Sequence, residues 1–186
     1  MALDLDSAFE YLNKSFSARR LSHAYLITGP AGSGKKELAL RLISLVNKIP
    51  QEGSLADVVS ENVRLVQPES KSRRIKVEQV RELEEMFHQK ANKGSYKIGI
   101  IEDAERLGEQ AENAFLKTLE EPPSNCLMLL ITAFPEQLLD TILSRCIEVP
   151  LMKASSNIAA NAYGDRLRDL LEWVRPAGEI SDALKI

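Results

Sequence analysis

Two hydrophobic rhythms alternate along this chain. Leu5, Ala8, Phe9, Leu12 and Phe16 recur at helical spacing and predict an amphipathic helix that Arg19 and Arg20 close. "HAYLITG" is then a short apolar run ending in glycine, which predicts a buried strand. Ala39, Leu42, Ile43 and Val46 restore the helical stripe. "NKIPQEGSLADVVSEN", punctuated by Pro50 and Gly53, predicts a connection with a short helical piece. "VRLVQP" predicts a second strand, and Val77, Val80, Leu83 and Phe87 a helix that stops near "NKGS". "YKIGIIED" is a third strand, followed by a helix with Ala111, Ala114, Phe115, Thr118 and Leu119 on one face, ended by "EPP". "LMLLITA" predicts a fourth strand, "PEQLLDTILSR" a helix opened by proline, and "CIEVPL" a fifth strand. Strands apolar on both faces that alternate with helices imply an α/β fold, a five-stranded parallel sheet covered by helices on both faces. The pattern changes after Leu151, so residues 1–151 read as one domain and 152–186 as helical segments too short for a second.

At 186 residues, with 44% apolar and 27% charged positions, the composition is that of a globular α/β domain. No apolar run approaches a membrane span and the N-terminus lacks a signal-peptide pattern, so a cytoplasmic protein with no membrane partner is expected. Cys126 and Cys146 lie in unrelated segments and predict free thiols. A net charge of −3 argues against a wholly DNA-binding surface, so any DNA contact is expected to be shared with partners.

The chemistry concentrates where strands end. Gly29, Pro30, Ala31, Gly32, Ser33, Gly34 and Lys35 fit G-x-x-x-x-G-K between a strand and a helix, the setting a phosphate-binding loop requires. The glycines let backbone N–H groups face phosphate oxygens, the helix adds its positive end, and Lys35 is placed to reach the β and γ phosphates. The next residue is Lys36, where Ser or Thr normally ligates magnesium; an ammonium only donates and cannot ligate a cation. The loop is expected to take ATP or ADP, with poor magnesium binding and inefficient hydrolysis. Glu102 and Asp103 close the third strand, where a second acidic motif belongs, with the two acids inverted. Two readings stay open there: a displaced metal-facing pair, or a charged strand end capping the next helix. Arg145, just before the fifth strand, reads from its chemistry alone as a surface arginine. His23 is expected to pack near the strand start, no metal site is assigned, and Lys71, Arg73 and Arg74 read as a solvated cationic turn.

Taken together, "RLSHAYLITGPAGSGKKELA", the acidic motif and "ENAFLKTLEEPPSNCLMLLITAFPEQLLDTILSRC" resemble the clamp loader subunits of bacterial DNA polymerase III, the delta-prime and gamma/tau group of AAA+ P-loop proteins. The likeness spans roughly Leu5 to Leu151, and "LKTLEEPP" and "SRC" are far more specific than the loop. It implies an AAA+ domain followed by the start of a helical lid, within a ring-like pentamer that opens the sliding clamp and places it on primed DNA. It implies that residues 29–36 are the phosphate loop, Glu102 and Asp103 the second acidic motif, Thr132 a sensor of the γ phosphate, and Arg145 an arginine finger offered to a neighbouring subunit. Within the group, Lys36 and the inverted acids favour a delta-prime-type stator over a gamma/tau motor. An active gamma/tau-type ATPase and an interaction module without nucleotide are the alternatives. Two departures stand out. The four-cysteine zinc module usual in the group is missing from "VNKIPQEGSLADVVSENVRLVQPES", so zinc is not expected. The chain also stops within the expected lid, as a truncation or an N-terminal fragment would. The implied partners are gamma/tau and delta subunits and, through them, clamp and DNA.

Overall fold

A computed structural model of the chain describes residues 2–69, 73–89 and 95–153. Lys71 and most of "NKGS" fall outside these, as does the expected lid from residue 154 onward. In chain order the elements are α1 (Leu5–Ser17), β1 (Ala24–Thr28), α2 (Lys35–Asn47), β2 (Val63–Val66), α3 (Val77–His88), β3 (Lys97–Glu102), α4 (Glu109–Glu120), β4 (Cys126–Thr132), α5 (Asp140–Leu143) and β5 (Ile147–Pro150). The five strands form one parallel sheet in the order β2-β3-β4-β1-β5.

Period-two alternation divides the core between the two faces of the sheet. Tyr25, Ile27, Ile98, Ile100, Leu127, Leu129 and Ile131 point to the face covered by α1 and α2, where Ala8, Leu12, Leu38, Leu42 and Ile43 are fully buried. Leu26, Ile101, Met128 and Leu130 point to the other face, against Val80, Leu83 and Phe87 of α3 and Phe115 and Leu119 of α4. Each such side chain, fully buried, contributes roughly 1.5–3 kcal/mol, so the central strands hold most of the hydrophobic stabilisation. Gly99 lets α3 sit close: a Cβ there would lie 2.7 Å from Leu83 Cδ1 and Phe87 Cζ.

The structure corrects the sequence reading in three places. "PEQLLDTILSR" is not one helix. A 3-10 turn over Pro135–Gln137 breaks at Leu138, and only one helical turn follows. The break has a long-range cause: Leu139 N donates to the Glu112 carboxylate of α4 at 3.2 Å, so a distant side chain begins the second helix. The connection after α2 holds turns rather than a helical piece. There the Asp57 carboxylate accepts from Ser54 N (2.7 Å) and Ser54 Oγ (2.8 Å), and a side chain that takes backbone donors competes with a helix. Finally, edge strand β5 is not apolar on both faces, since Ile147 and Glu148 are exposed.

Chain direction decides where a ligand can sit. The connection leaving β1 runs toward the β2 edge, whereas the one leaving β4 crosses to β5 on the opposite side. The carboxyl ends of β1 and β4 therefore flank the switch point at which open α/β sheets bind ligands.

Candidate functional site

The loop after β1 is held by its neighbours. Gly29 has φ 145°, and a Cβ placed there would lie 2.5 Å from the Leu151 carbonyl oxygen and 2.8 Å from Ser33 Oγ. Leu151 N donates to Thr28 O at 2.7 Å, and Leu3 pairs alongside through Leu3 N to Pro150 O (2.7 Å) and Met152 N to Leu3 O (2.8 Å). Gly32 (φ 79°) faces open space, with nothing within 4 Å of a Cβ there. Gly34, at φ 86°, starts α2 in the left-handed conformation glycine favours. Pro30 and Ala31 are exposed, whereas Ser33 is buried with its hydroxyl unpartnered. Lys35 folds back on the loop, donating to Gly29 O (2.6 Å) and Pro30 O (2.9 Å). Burial pushes its pKa down, and the negative charges of Glu105 and Asp103 push it back up.

The carboxyl edge brings Lys36 and the acidic pair together. The Lys36 ammonium forms an ion pair with Glu102 Oε1, and Gln67 Nε2 donates to Glu102 Oε2 at 2.7 Å, so both carboxylate oxygens are engaged. Glu102 is buried and Lys36 exposed. Asp103 takes the left-handed conformation (φ 50°) at the start of a 3-10 turn, but its side chain makes no cap hydrogen bond. Asp103 thus holds the N-cap position of that turn through its backbone, its carbonyl accepting from Arg106 N at 2.8 Å. Partial burial first, then the charges of Glu105 and Glu102, raises the Asp103 carboxyl from its ordinary value.

Thr132 ends β4 in register with Thr28 of β1. Its buried hydroxyl donates to Glu105 Oε2 at 2.6 Å and accepts from Phe134 N at 2.9 Å. Arg145 stands elsewhere. Its guanidinium donates to Thr141 O (2.9 Å) and Ser144 Oγ (3.3 Å) and pairs with Glu120 at the end of α4 (2.8 Å). Tyr25 pairs with Ile147, which places Arg145 at the amino edge of the sheet. The loop lies more than ~13 Å further along the strands, at about 3.3 Å per residue. Arg145 thus cannot serve its own loop.

The family described as DNA polymerase III, delta subunit, matches residues 5–155. The chain belongs to that family. Within it the chain is of the delta-prime type: it is 36% identical over 166 residues to the DNA polymerase III subunit delta' of Pseudomonas aeruginosa, covering 81% of this chain and 51% of that protein. The chain spans about half the length of the curated delta' relatives it matches. A DNA polymerase III gamma subunit-related protein from Thermotoga maritima superimposes with a TM-score of 0.65 at 27% identity, over 92% of this chain and 53% of that one. Thermotoga maritima RuvB, a Holliday junction branch migration motor, has a TM-score of 0.51 at 16% identity over 79% of this chain and 44% of its own, a likeness of fold alone. The fold is the α/β AAA+ fold.

For a delta-prime-type protein the question is which of the family's usual ligands the residues fit. The phosphate cradle fits: Gly32 is open, and residues 29–34 with Lys35 would hold phosphate oxygens through backbone N–H groups and one ammonium. Magnesium does not fit. It needs a near-octahedral shell of oxygens, and here the hydroxyl ligand is an ammonium while both Glu102 oxygens are taken. Among the described residues no group of three or more His, Cys, Asp or Glu is arranged to hold a metal ion, and no helix is long and apolar enough to cross a membrane. The His23 Nε2 is buried without a hydrogen-bond partner.

Sequence reasoning missed Gln67, Glu105 and Glu120, the partners of Glu102, Thr132 and Arg145. Gln67 was within reach of a register argument, because Val66 pairs with Ile101 and the next two residues are Gln67 and Glu102. Glu105 sits just beyond the acidic pair. Nothing local marked Glu120.

Proposed function

We propose that this chain is the AAA+ domain of a delta-prime-like clamp loader subunit that takes part in DNA replication as a stator. It supports ATP-driven loading of the sliding clamp onto primed DNA without being an efficient ATPase itself. The observation that carries this reading is the Lys36–Glu102 ion pair, which joins the two departures from a working ATP site in one contact. Metal-assisted phosphoryl transfer needs a cation between the loop and the acidic motif, and here the hydroxyl ligand is replaced by an ammonium that occupies the Glu102 carboxylate. Its partners in this reading are gamma/tau and delta subunits, with clamp and DNA reached through them, and its compartment is the cytoplasm.

The second part of the proposal is that Arg145 acts in a neighbour's site. A guanidinium at the amino edge, remote from its own loop, suits charge developing on a phosphate bound by an adjacent subunit. Thr132 keeps the place of a γ-phosphate sensor, with its hydroxyl committed to Glu105. The test is to add the chain to gamma/tau-type motor subunits and measure steady-state ATP hydrolysis. The rate is expected to rise, and Arg145→Ala to remove about tenfold or more of that gain with melting unchanged, since one pre-aimed donor supplies at least that much. An unchanged rate counts against the finger. Hydrolysis by the isolated chain that disappears in Lys35→Ala would replace the stator with a gamma/tau-type motor.

A further inference from the structure

Lys36 does more than spoil a magnesium ligand. We infer that its ammonium is the resident cation of this phosphate site, so that a nucleoside diphosphate or triphosphate is held here without any divalent metal. The inference rests on residues 29–36 being a nucleotide loop and is independent of the role of Arg145.

Three observations carry it. The first is position: Lys36 lies in the first turn of α2, where the loop and the helix's positive end converge, and its ammonium has already crossed to the acidic strand end. A divalent ion in a P-loop site bridges the same two features, the residue after the loop lysine and the acidic motif. The second is the state of Glu102. With Oε1 on Lys36 and Oε2 on Gln67, this buried carboxylate has a protein partner on each oxygen and its charge is balanced by Lys36, so a metal would compete with that ammonium. The third is valence. An ammonium carries three donors; one meets Glu102, and the side chain is 64% exposed, which leaves the other two accessible to phosphate oxygens approaching from solvent. Lys35, resting on the Gly29 and Pro30 carbonyls, is a second cation that a phosphate would draw off them. Two ammonium groups supply two positive charges where a lysine and a divalent metal supply three, and they lack the rigid oxygen shell that orients a γ phosphate for attack. Such a site binds and does not hydrolyse.

The experiment is isothermal titration of the intact 186-residue chain with ADP, once with magnesium chloride and once with EDTA. The expected result is an affinity that agrees within about twofold in the two buffers. Lys36→Thr, which restores an oxygen ligand and frees Glu102, should bind at least about tenfold more tightly with magnesium than with EDTA. Thermal melting of the variant checks that it is folded, and the two-buffer comparison on the unmodified chain stands even if it is not. Wild-type affinity that falls tenfold or more in EDTA would overturn the inference, as would absence of ADP binding in both buffers or a folded Lys36→Thr indifferent to magnesium. None of these outcomes bears on the stator reading of Arg145, which is measured on the hydrolysis of partner subunits.

Discussion

Gly29 and Gly32 belong to the same motif, yet the structure gives them different work, and two alanine variants separate them. At Gly29 the added Cβ would lie 2.5 Å from the Leu151 carbonyl oxygen and 3.3 Å from its carbonyl carbon. These are backbone atoms that cannot swing away, because Leu151 N is bonded to Thr28 O and the following Met152 N to Leu3 O. The variant therefore combines overpacking, about 1–3 kcal/mol, with a backbone conformation unfavourable to L-residues, about 1–2 kcal/mol. About 3 kcal/mol in total corresponds to a fall in Tm of about 6–12 °C for a domain of this size. At Gly32 the Cβ meets nothing within 4 Å, and only the backbone cost at φ 79° remains. That is about 1–2 kcal/mol, or a fall of about 2–8 °C. Thermal unfolding followed by circular dichroism, without nucleotide, reads both. If Gly29→Ala melts no lower than Gly32→Ala, the loop is not braced against Leu151 and the steric account is wrong.

Titration supplies two further predictions. Burial and the neighbouring Glu105 and Glu102 charges raise the Asp103 carboxyl, so its contribution to stability is present below the unfolded value of 3.8 and is lost as pH rises through the higher folded value. Asp103→Asn removes the charge and keeps a residue that tolerates φ 50°. It should raise Tm slightly at pH 7, with the gain shrinking toward pH 4; a lower Tm at pH 7 would refute the assignment. Burial also pushes the thiol of Cys126 up to about 11 and that of Cys146 to about 12, from 9.0. Labelling of the native chain by a thiol-disulfide reagent at pH 8 should therefore be about a hundredfold slower than in denaturant, because the thiolate is the nucleophile. Comparable rates would show that Cys126 is not buried and Cys146 not half-buried in the folded chain.

Whether a feature was legible in the sequence depends on whether its cause was local. The runs that became β1, β3 and β4 declare themselves because a strand buried on both faces admits little but apolar residues, and Lys36 stood out because the residue type contradicts the chemistry of its position. The partners of that contradiction were not legible: Glu102 ends β3 and Gln67 lies just past β2, and the parallel register of the sheet alone brings them together beside α2. The same holds for the failed helix over "PEQLLDTILSR". Local propensity favours it, and a Glu112 carboxylate on another helix ends it. Local chemistry marks a residue as odd, whereas the explanation usually comes from the other side of the fold.

The two edges of the sheet then support one argument about division of labour. At the carboxyl edge, several polar groups of the loop and acidic motif partner one another: Lys36 and Gln67 meet Glu102, and Thr132 meets Glu105. A cation entering there would have to compete with Lys36 for Glu102. At the amino edge, Arg145 is half-exposed, and its pair with Glu120 is a surface ion pair of the kind worth about 0–1 kcal/mol. A phosphate offered by another chain could displace Glu120 at that small cost. Internal contacts therefore tie down the acidic motif beside the loop, whereas the Arg145 edge faces away from this chain's own loop and is held by a weak surface pair.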